Sequence, residues 1–231
     1  MIVVTGTSSG IGKAIAELYL SQGKTVTGIG RRHTIEHPAY TAVTCDLSDK
    51  KAVEALTFPV DSDCLLINNA GMLGNVRRIS DQESTDLSEV LQVNTVAPAL
   101  LMQTFSKICG DNYLLTVVNI SSGAAKRAIP SWAAYCTSKA ALDMFSETFF
   151  LEEREKGRKT RVYCVAPGVV DTAMQAKIRA VAPGDFSASE NFHAYKERDE
   201  LSHPEAVAAK LLKLLALPYN DSVSYSLRDL S

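Results

Sequence analysis

Ile2-Val3-Val4-Thr5-Gly6-Thr7-Ser8-Ser9-Gly10-Ile11-Gly12 is the stretch on which the reading of the fold turns. A short apolar run ends at Thr5, glycines follow at 6, 10 and 12, and from Ile11 to Ser21 apolar residues recur at helical spacing. That is a strand, a tight turn and a helix. Glycine permits the tight turn and a close approach of backbone to ligand. The helix start adds free N–H donors and the positive end of the helix dipole, which suit a pyrophosphate. Gly6, Ser8, Ser9, Gly10, Ile11 and Gly12 are therefore expected to hold a dinucleotide. The spacing is G-x-x-x-G-x-G, not the commoner G-x-G-x-x-G, so this expectation leans on the position of the turn behind the first strand.

The same alternation continues along the chain. Apolar runs predict strands over residues 2–5, 25–29, 41–44, 64–67, 114–120, 162–165 and 222–225. Between them, helical patterns cover 11–21, 50–56, 87–109, 132–154 and 205–216. Strands that are continuously apolar suit a parallel sheet covered on both faces. The expected fold is α/β, a single-domain Rossmann-type doubly wound sheet spanning 1–231 with helices on both faces. Residues 173–203 break the rhythm, with Pro183-Gly184 and Pro204 as punctuation. A segment this long and irregular reads as a substrate lid, or else as two short surface helices.

Composition excludes several classes. With 231 residues, 46% hydrophobic, the chain can bury one sizeable core. Net charge is −2 with signs interspersed, so neither nucleic acid nor a membrane surface is an expected partner. No signal peptide is read at the start, and no run approaches the ~20 apolar residues of a membrane span. The five cysteines form no C-x-x-C pair and read as reduced thiols of a cytoplasmic protein. The four histidines show no metal spacing, and no metal site is expected.

Several positions point to the cofactor. The second strand ends Gly28-Ile29-Gly30-Arg31-Arg32, with no carboxylate before Glu36. An acidic residue there would accept from a ribose hydroxyl; Arg31 and Arg32 instead suit a 2′-phosphate, hence NADPH/NADP. Asp46, followed by Leu47, stands at the next strand end, where it either accepts from an adenine amino group or helps cap the following helix. Asn69, Ala70 and Gly71 follow the fourth strand, small enough to let a nucleotide pack against backbone.

Tyr135 and Lys139 stand four apart on a helical pattern and so share a face. A phenol of pKa ~10 is a weak acid–base group at neutral pH. A nearby ammonium and a cationic nicotinamide are expected to lower it and make Tyr135 a general acid for reduction. Ser122, at the end of the fifth strand, is placed to hold a carbonyl oxygen. Asn94 precedes Pro98 by four residues, so its carbonyl lacks a helical N–H partner. The helix is expected to kink there and leave that carbonyl free for a water leading to Lys139.

With these residues assembled, the sequence resembles the short-chain dehydrogenases/reductases over essentially its whole length. The motifs are Thr5–Gly12, Asn68-Asn69-Ala70-Gly71, Asn94, Asn119-Ile120-Ser121-Ser122, Tyr135-Cys136-Thr137-Ser138-Lys139 and Pro167-Gly168-Val169-Val170-Asp171-Thr172. The resemblance implies a catalytic set of Asn94, Ser122, Tyr135 and Lys139, with Pro167, Gly168, Val170 and Thr172 on the nicotinamide side. Residues 132–136 and 170–175 are similar to those of sepiapterin reductases and bacterial benzil reductase-like members. Where sepiapterin reductases carry a pterin-anchoring aspartate, Ser224 stands here.

The expected function is NADPH-dependent reduction of a ketone or aldehyde, with Tyr135 as proton donor. An NADPH-sensing regulatory protein and an NAD-dependent alcohol dehydrogenase are the alternatives. Trp132, Met174, Phe186, Phe192 and Tyr195 point to an apolar or aromatic small-molecule carbonyl substrate. Apolar residues on more than one side of 87–109 and 132–154, including Leu91, Leu100, Leu101, Phe105, Leu142, Phe145, Phe149 and Phe150, point to a homodimer.

Overall fold

The structure, a computed structural model, describes residues 1–182 and 184–230; Pro183, named above as punctuation, lies outside the described residues. The strands are β1 (Ile2–Thr5), β2 (Val26–Gly30), β3 (Tyr40–Thr44), β4 (Cys64–Asn68), β5 (Leu115–Ile120), β6 (Thr160–Ala166) and β7 (Ser224–Ser226). The helices are α1 (Gly10–Ser21), α2 (Lys50–Glu54), α3 (Ser84–Leu91), α4 (Ala97–Cys109), α5 (Ala133–Glu155), α6 (Ala173–Arg179), α7 (Ser189–Glu197) and α8 (Pro204–Ala216). One sheet runs β3-β2-β1-β4-β5-β6-β7, with every neighbouring pair parallel. This is the expected doubly wound order. It reverses between β1 and β4, and that reversal opens a crevice beyond their carboxyl ends.

Each face of the sheet has its own apolar layer. On one, Leu101, Met102 and Phe105 of α4 and Phe149 of α5 pack on Val3, Leu66 and Val117. On the other, Ile15 and Leu20 of α1 and Val207 and Leu211 of α8 cover Val4, Ile67 and Val118. Burying each such side chain contributes about 1.5–3 kcal/mol, which is what holds helices to both faces. A third, smaller cluster lies outside the sheet and joins Trp132 and Tyr135 to Ile178, Phe186 and Phe192 from the 173–203 stretch. That stretch contains the two short helices α6 and α7, and their apolar side chains are turned onto Trp132.

Two expectations need correction. The single kinked helix over 87–109 is instead α3 and α4 joined by a π-helical turn over Gln92–Val96, closed by the Ala97 N–H on the Gln92 carbonyl. Pro98 is the reason: without an N–H it cannot complete an α-helical rung to Asn94, and the chain widens by one residue there. The apolar surplus on these helices is also smaller than expected. Leu101, Phe105, Leu142, Phe149 and Phe150 are buried within this chain. What stays uncovered is Leu87, Ile108, Met144, Phe145 and Leu151.

Gly12 shows how tightly α1 is seated. A Cβ there would lie 2.2 Å from Asn69 Nδ2 and 2.5 Å from the Gly6 carbonyl. No side chain fits without moving backbone. Gly12→Ala should therefore lower the unfolding free energy by about 1–3 kcal/mol. Gly123→Ala, with nothing within 4 Å of the new Cβ, should not. Thermal unfolding of the two variants checks this; equal midpoints would remove the steric argument.

Candidate active site

A cleft of about 1000 Å³ runs along the carboxyl edge of the sheet. At one end the chain leaves β1 through Gly6 (φ +74°) and Gly10 (φ +59°), left-handed conformations that glycine adopts without strain. Asn69 fastens this turn. Its Nδ2 donates to the Thr5 and Gly6 carbonyls at 2.9 and 3.2 Å, and its own N–H and that of Ala70 reach Thr5 Oγ1. Gly6, Ser8, Ser9, Gly10, Ile11, Asn69, Ala70 and Gly71 all line the cleft, whereas Gly12 lies beneath it as packing. The Ser9 side chain does not cap α1, and the first turn carries no acidic residue. The N–H groups at this helix start thus lack an anion of the chain's own. That is what a dinucleotide pyrophosphate needs, and the residues fit the group.

Arg31 and Arg32 follow β2 on the cleft wall, both exposed. Arg31 stands 3.9 Å from Asp46 Oδ2. Asp46 stands on the cleft wall and does not cap the following helix. It lines the cleft with Leu47, and its Oδ1 accepts from Ser48 N–H and Oγ at 2.9 and 2.8 Å. Those hydrogen bonds, and then the Arg31 charge, hold its carboxyl below the usual range. The helix cap itself is Asp49, which accepts from Lys51 and Ala52.

At the other end, Ser122, Tyr135 and Lys139 share the cleft wall. Ser122, two residues beyond β5, accepts from the Ala124 N–H at 3.1 Å. Lys139 Nζ donates to the Ile120 carbonyl at 2.8 Å and lies over the Tyr135 ring, 5.9 Å from its centre. Asn94 is fully buried and does not reach the cleft surface. Its Oδ1 accepts from Met72 N–H at 2.8 Å, and its Nδ2 donates to the Met72 carbonyl at 2.8 Å and Ser138 Oγ at 2.9 Å. The amide is consumed in tying the segment after β4 to α5. Any part in proton traffic falls to its backbone carbonyl, which Pro98 cannot engage.

In the chain by itself, Lys139 does not lower the phenol; the expected lowering also called on a bound cationic nicotinamide. Burial pushes the Tyr135 phenol above its ordinary value, while Ser122 as hydrogen-bond partner draws it down; the Lys139 charge adds no resolved lowering. The free chain therefore holds Tyr135 as a neutral phenol, the form that can give a proton. Burial also pulls Lys139 down, to about 8, against the influence of Cys164 and Asp143.

Pro167, Gly168, Val170 and Thr172 line the middle of the cleft. Its substrate side is walled by Trp132, Met174, Phe192 and Tyr195. Phe186 is not on the wall; it is fully buried and stacks on Trp132, with ring centres 5.5 Å apart at 10°. Ser224 also lines the cleft. Sequence reasoning missed Lys126, Asp143 and Arg228. For Asp143 a signal existed, since it follows Lys139 by four helical residues. For Arg228 there was none: it reaches the cleft because Lys210 Nζ holds the Leu227 and Leu230 carbonyls at 3.2 and 2.8 Å. Among the described residues no cluster of histidine, cysteine or acidic side chains has the make-up of a metal site, and no helix is long and apolar enough to cross a membrane.

Residues 1–182 match the short chain dehydrogenase family model. Benzil reductase ((S)-benzoin forming) of Bacillus subtilis is 36% identical over 239 residues, covering 99% of this chain and 98% of that protein. The protein of the same name from Bacillus cereus is 36% identical over 231 residues, covering 93% of each. A crystal structure of a short-chain dehydrogenase/reductase from Saccharomyces cerevisiae superposes with a TM-score of 0.85 at 28% identity, covering 99% of this chain and 96% of that one. Sequence motifs, sheet order and relatives agree, and the chain belongs to the short-chain dehydrogenase/reductase family, oxidoreductases that act on carbonyl and hydroxyl groups and bind a nicotinamide cofactor.

Proposed function

We propose that this chain is an NADPH-dependent carbonyl reductase with Tyr135 as its proton donor. The observation that carries the reading is one continuous cleft, lined at one end by Gly10 and Arg31 and at the other by Ser122, Tyr135 and Lys139. When bound, the cofactor supplies the hydride that reduces the carbonyl carbon. Gly6 to Ile11 receive the pyrophosphate on backbone N–H groups, and Arg31 and Arg32 read the 2′-phosphate. Lys139 holds the nicotinamide ribose, beside Pro167 to Thr172. Ser122 donates to the substrate carbonyl oxygen and polarises it. Tyr135, neutral in the free chain, gives that oxygen its proton as negative charge develops there. Lys139, half-charged near pH 8, sits beside the phenol to stabilise the phenolate left behind.

The substrate in this reading is an apolar or aromatic ketone, with vicinal diketones foremost. Trp132, Met174, Phe192 and Tyr195 supply the wall that orients such a compound. The names of the two Bacillus relatives support it. Ser224, with a hydroxyl in place of an anchoring carboxylate, weighs against a pterin. The five free cysteines fit a reducing, cytoplasmic setting. The uncovered Met144, Phe145 and Leu151 on α5, with Ile108 on α4, support a homodimer built on these helices.

Four measurements follow. The ratio of kcat/KM for NADPH over NADH should exceed about tenfold, since each charge-assisted contact to phosphate is worth ~1.5–3 kcal/mol; equal values would remove the cofactor assignment. Across a panel of benzil-like diketones, sepiapterin and short hydrophilic aldehydes, the diketones should give the highest kcat/KM. Tyr135→Phe should lose at least about 10²-fold in kcat on the best substrate while NADPH binding persists; a variant that keeps most of its kcat contradicts the mechanism. Light scattering at micromolar concentration should report twice the mass of one chain, and the mass of a single chain would refute the dimer.

A further inference from the structure

The reductase chemistry leaves one buried charge beside the Tyr135–Lys139 pair without a task. Asp143 lies on α5 one turn beyond Lys139 and is 7% exposed. Donors from three different segments converge on its carboxylate. Ser121 Oγ, at the end of β5, makes a short hydrogen bond to Oδ1. Cys164 Sγ of β6 donates to the same oxygen at 2.9 Å. Lys126 Nζ, from the loop that follows Ser122, stands 3.3 Å from Oδ2.

Each of these contacts fixes something next to the reacting groups. Ser121 sits between Ile120, whose carbonyl accepts from Lys139 Nζ, and Ser122, which faces the substrate. The Ser121 N–H is already spent on the Val165 carbonyl at 2.8 Å. Sheet pairing thus sets its backbone, and Asp143 sets its side chain. The charged and titratable groups around Lys139 are Asp143 and Tyr135 on its own helix and Cys164 on β6. Those around Asp143 are Lys139, Lys126 and Cys164. A buried carboxylate is kept only where hydrogen bonds and counter-charges compensate its lost hydration. Here the compensating groups are the ones that define the site.

Resting on the reductase reading above, we propose that Asp143 is a positioning residue of the centre: through Ser121 it fixes the segment that carries Ser122 and the Ile120 carbonyl on which Lys139 is seated. Removing its negative charge leaves the desolvated ammonium with less support, so Lys139 loses its proton at lower pH. The alkaline limb of the reduction profile, where that proton is needed, moves down with it. A role confined to holding the fold would lower stability but leave the Lys139 titration where it is.

The test uses Asp143→Asn, close in shape and still able to accept from Ser121, and Ser121→Ala, which keeps the charge and breaks the link. Lys139 is titrated in ¹³C-lysine-labelled protein, its signal assigned by its loss in Lys139→Met; kcat, KM and their pH dependence are measured in parallel. Asp143→Asn should shift the Lys139 titration and the alkaline limb down by about one unit. Its kcat should fall about 10-fold to 10²-fold, the cost of a misplaced catalytic group, with little change in KM for NADPH. Ser121→Ala should reproduce the loss of kcat without the shift. An unmoved Lys139 titration in Asp143→Asn overturns the proposal, and so does Ser121→Ala with full kcat. If Asp143→Asn does not fold, Ser121→Ala decides. If no carbonyl is reduced by the unaltered protein, the reductase reading fails, and the substrate-free titration still decides whether Asp143 holds the Lys139 charge.

Discussion

An ammonium group buried to 4% exposure governs how the catalytic end of this sheet is built. Lys139 has little contact with water where it stands, so the surrounding backbone and side chains must supply much of what water would. The Ile120 carbonyl faces it because β5 ends there, Tyr135 lies under it because α5 brings residues four apart onto one face, and Asp143 follows by the same spacing. Gly71 lies close by: a Cβ there would stand 3.6 Å from Nζ, an ordinary contact, and 3.3 Å from Asn94 Oδ1, a slightly tight one. The ends of β4 and β5, the π turn and one face of α5 are therefore specified together around one charge. Substituting any of these positions without regard to the others leaves a buried polar group short of a partner.

The layers behind this centre differ from the cover in front of it. Both faces of the sheet carry broad apolar clusters that lock α1, α4, α5 and α8 in place. The cluster at the substrate side is smaller and draws half its members from the 173–203 stretch. Its strand link to the rest is a single bridge between Val170 and Ser202, beside an ion pair of Lys196 with Asp171 at 2.7 Å. Local opening follows the sparsest packing, so free energy of opening should be lowest here and highest in the sheet. A firmly packed end at the glycine turn and a looser end beside Trp132 suit an enzyme that must admit a substrate and then exclude water from it.

Most of the fold was legible because its signals are local. The glycine turn at Gly6 to Gly12, the continuously apolar strands and the helical spacing of Tyr135 and Lys139 need only neighbours in sequence to be read. What escaped depends on chain segments far apart. Gly12 read as a ligand contact, yet its neighbour is Asn69, which no pattern near Gly12 announces. The phenol of Tyr135 was expected to be lowered by Lys139 together with a cationic nicotinamide; in the chain alone burial, a property of the assembled fold, raises it. Phe186 was read as part of the pocket and proves to lie behind Trp132. Pro98 was read correctly as a missing donor; whether the helix would answer by bending or by widening could be settled only by the packing of α3 and α4 on α5.

The aromatic cluster has an optical consequence. Trp132 is the one tryptophan in the sequence. Its ring meets the Tyr135 ring edge-on, with centres 5.5 Å apart, stacks on Phe186 and leans on Phe192. Its Nε1 is buried with no acceptor among the described residues. All tryptophan fluorescence of the chain therefore originates beside the Tyr135 phenol, in surroundings supplied largely by the 173–203 stretch. Any movement of α6 and α7 that wets the indole would shift its emission to the red, and a nicotinamide bound within energy-transfer range would quench it. The molecule carries its own unlabelled reporter of changes at this end of the cleft, with no second tryptophan to blur the signal.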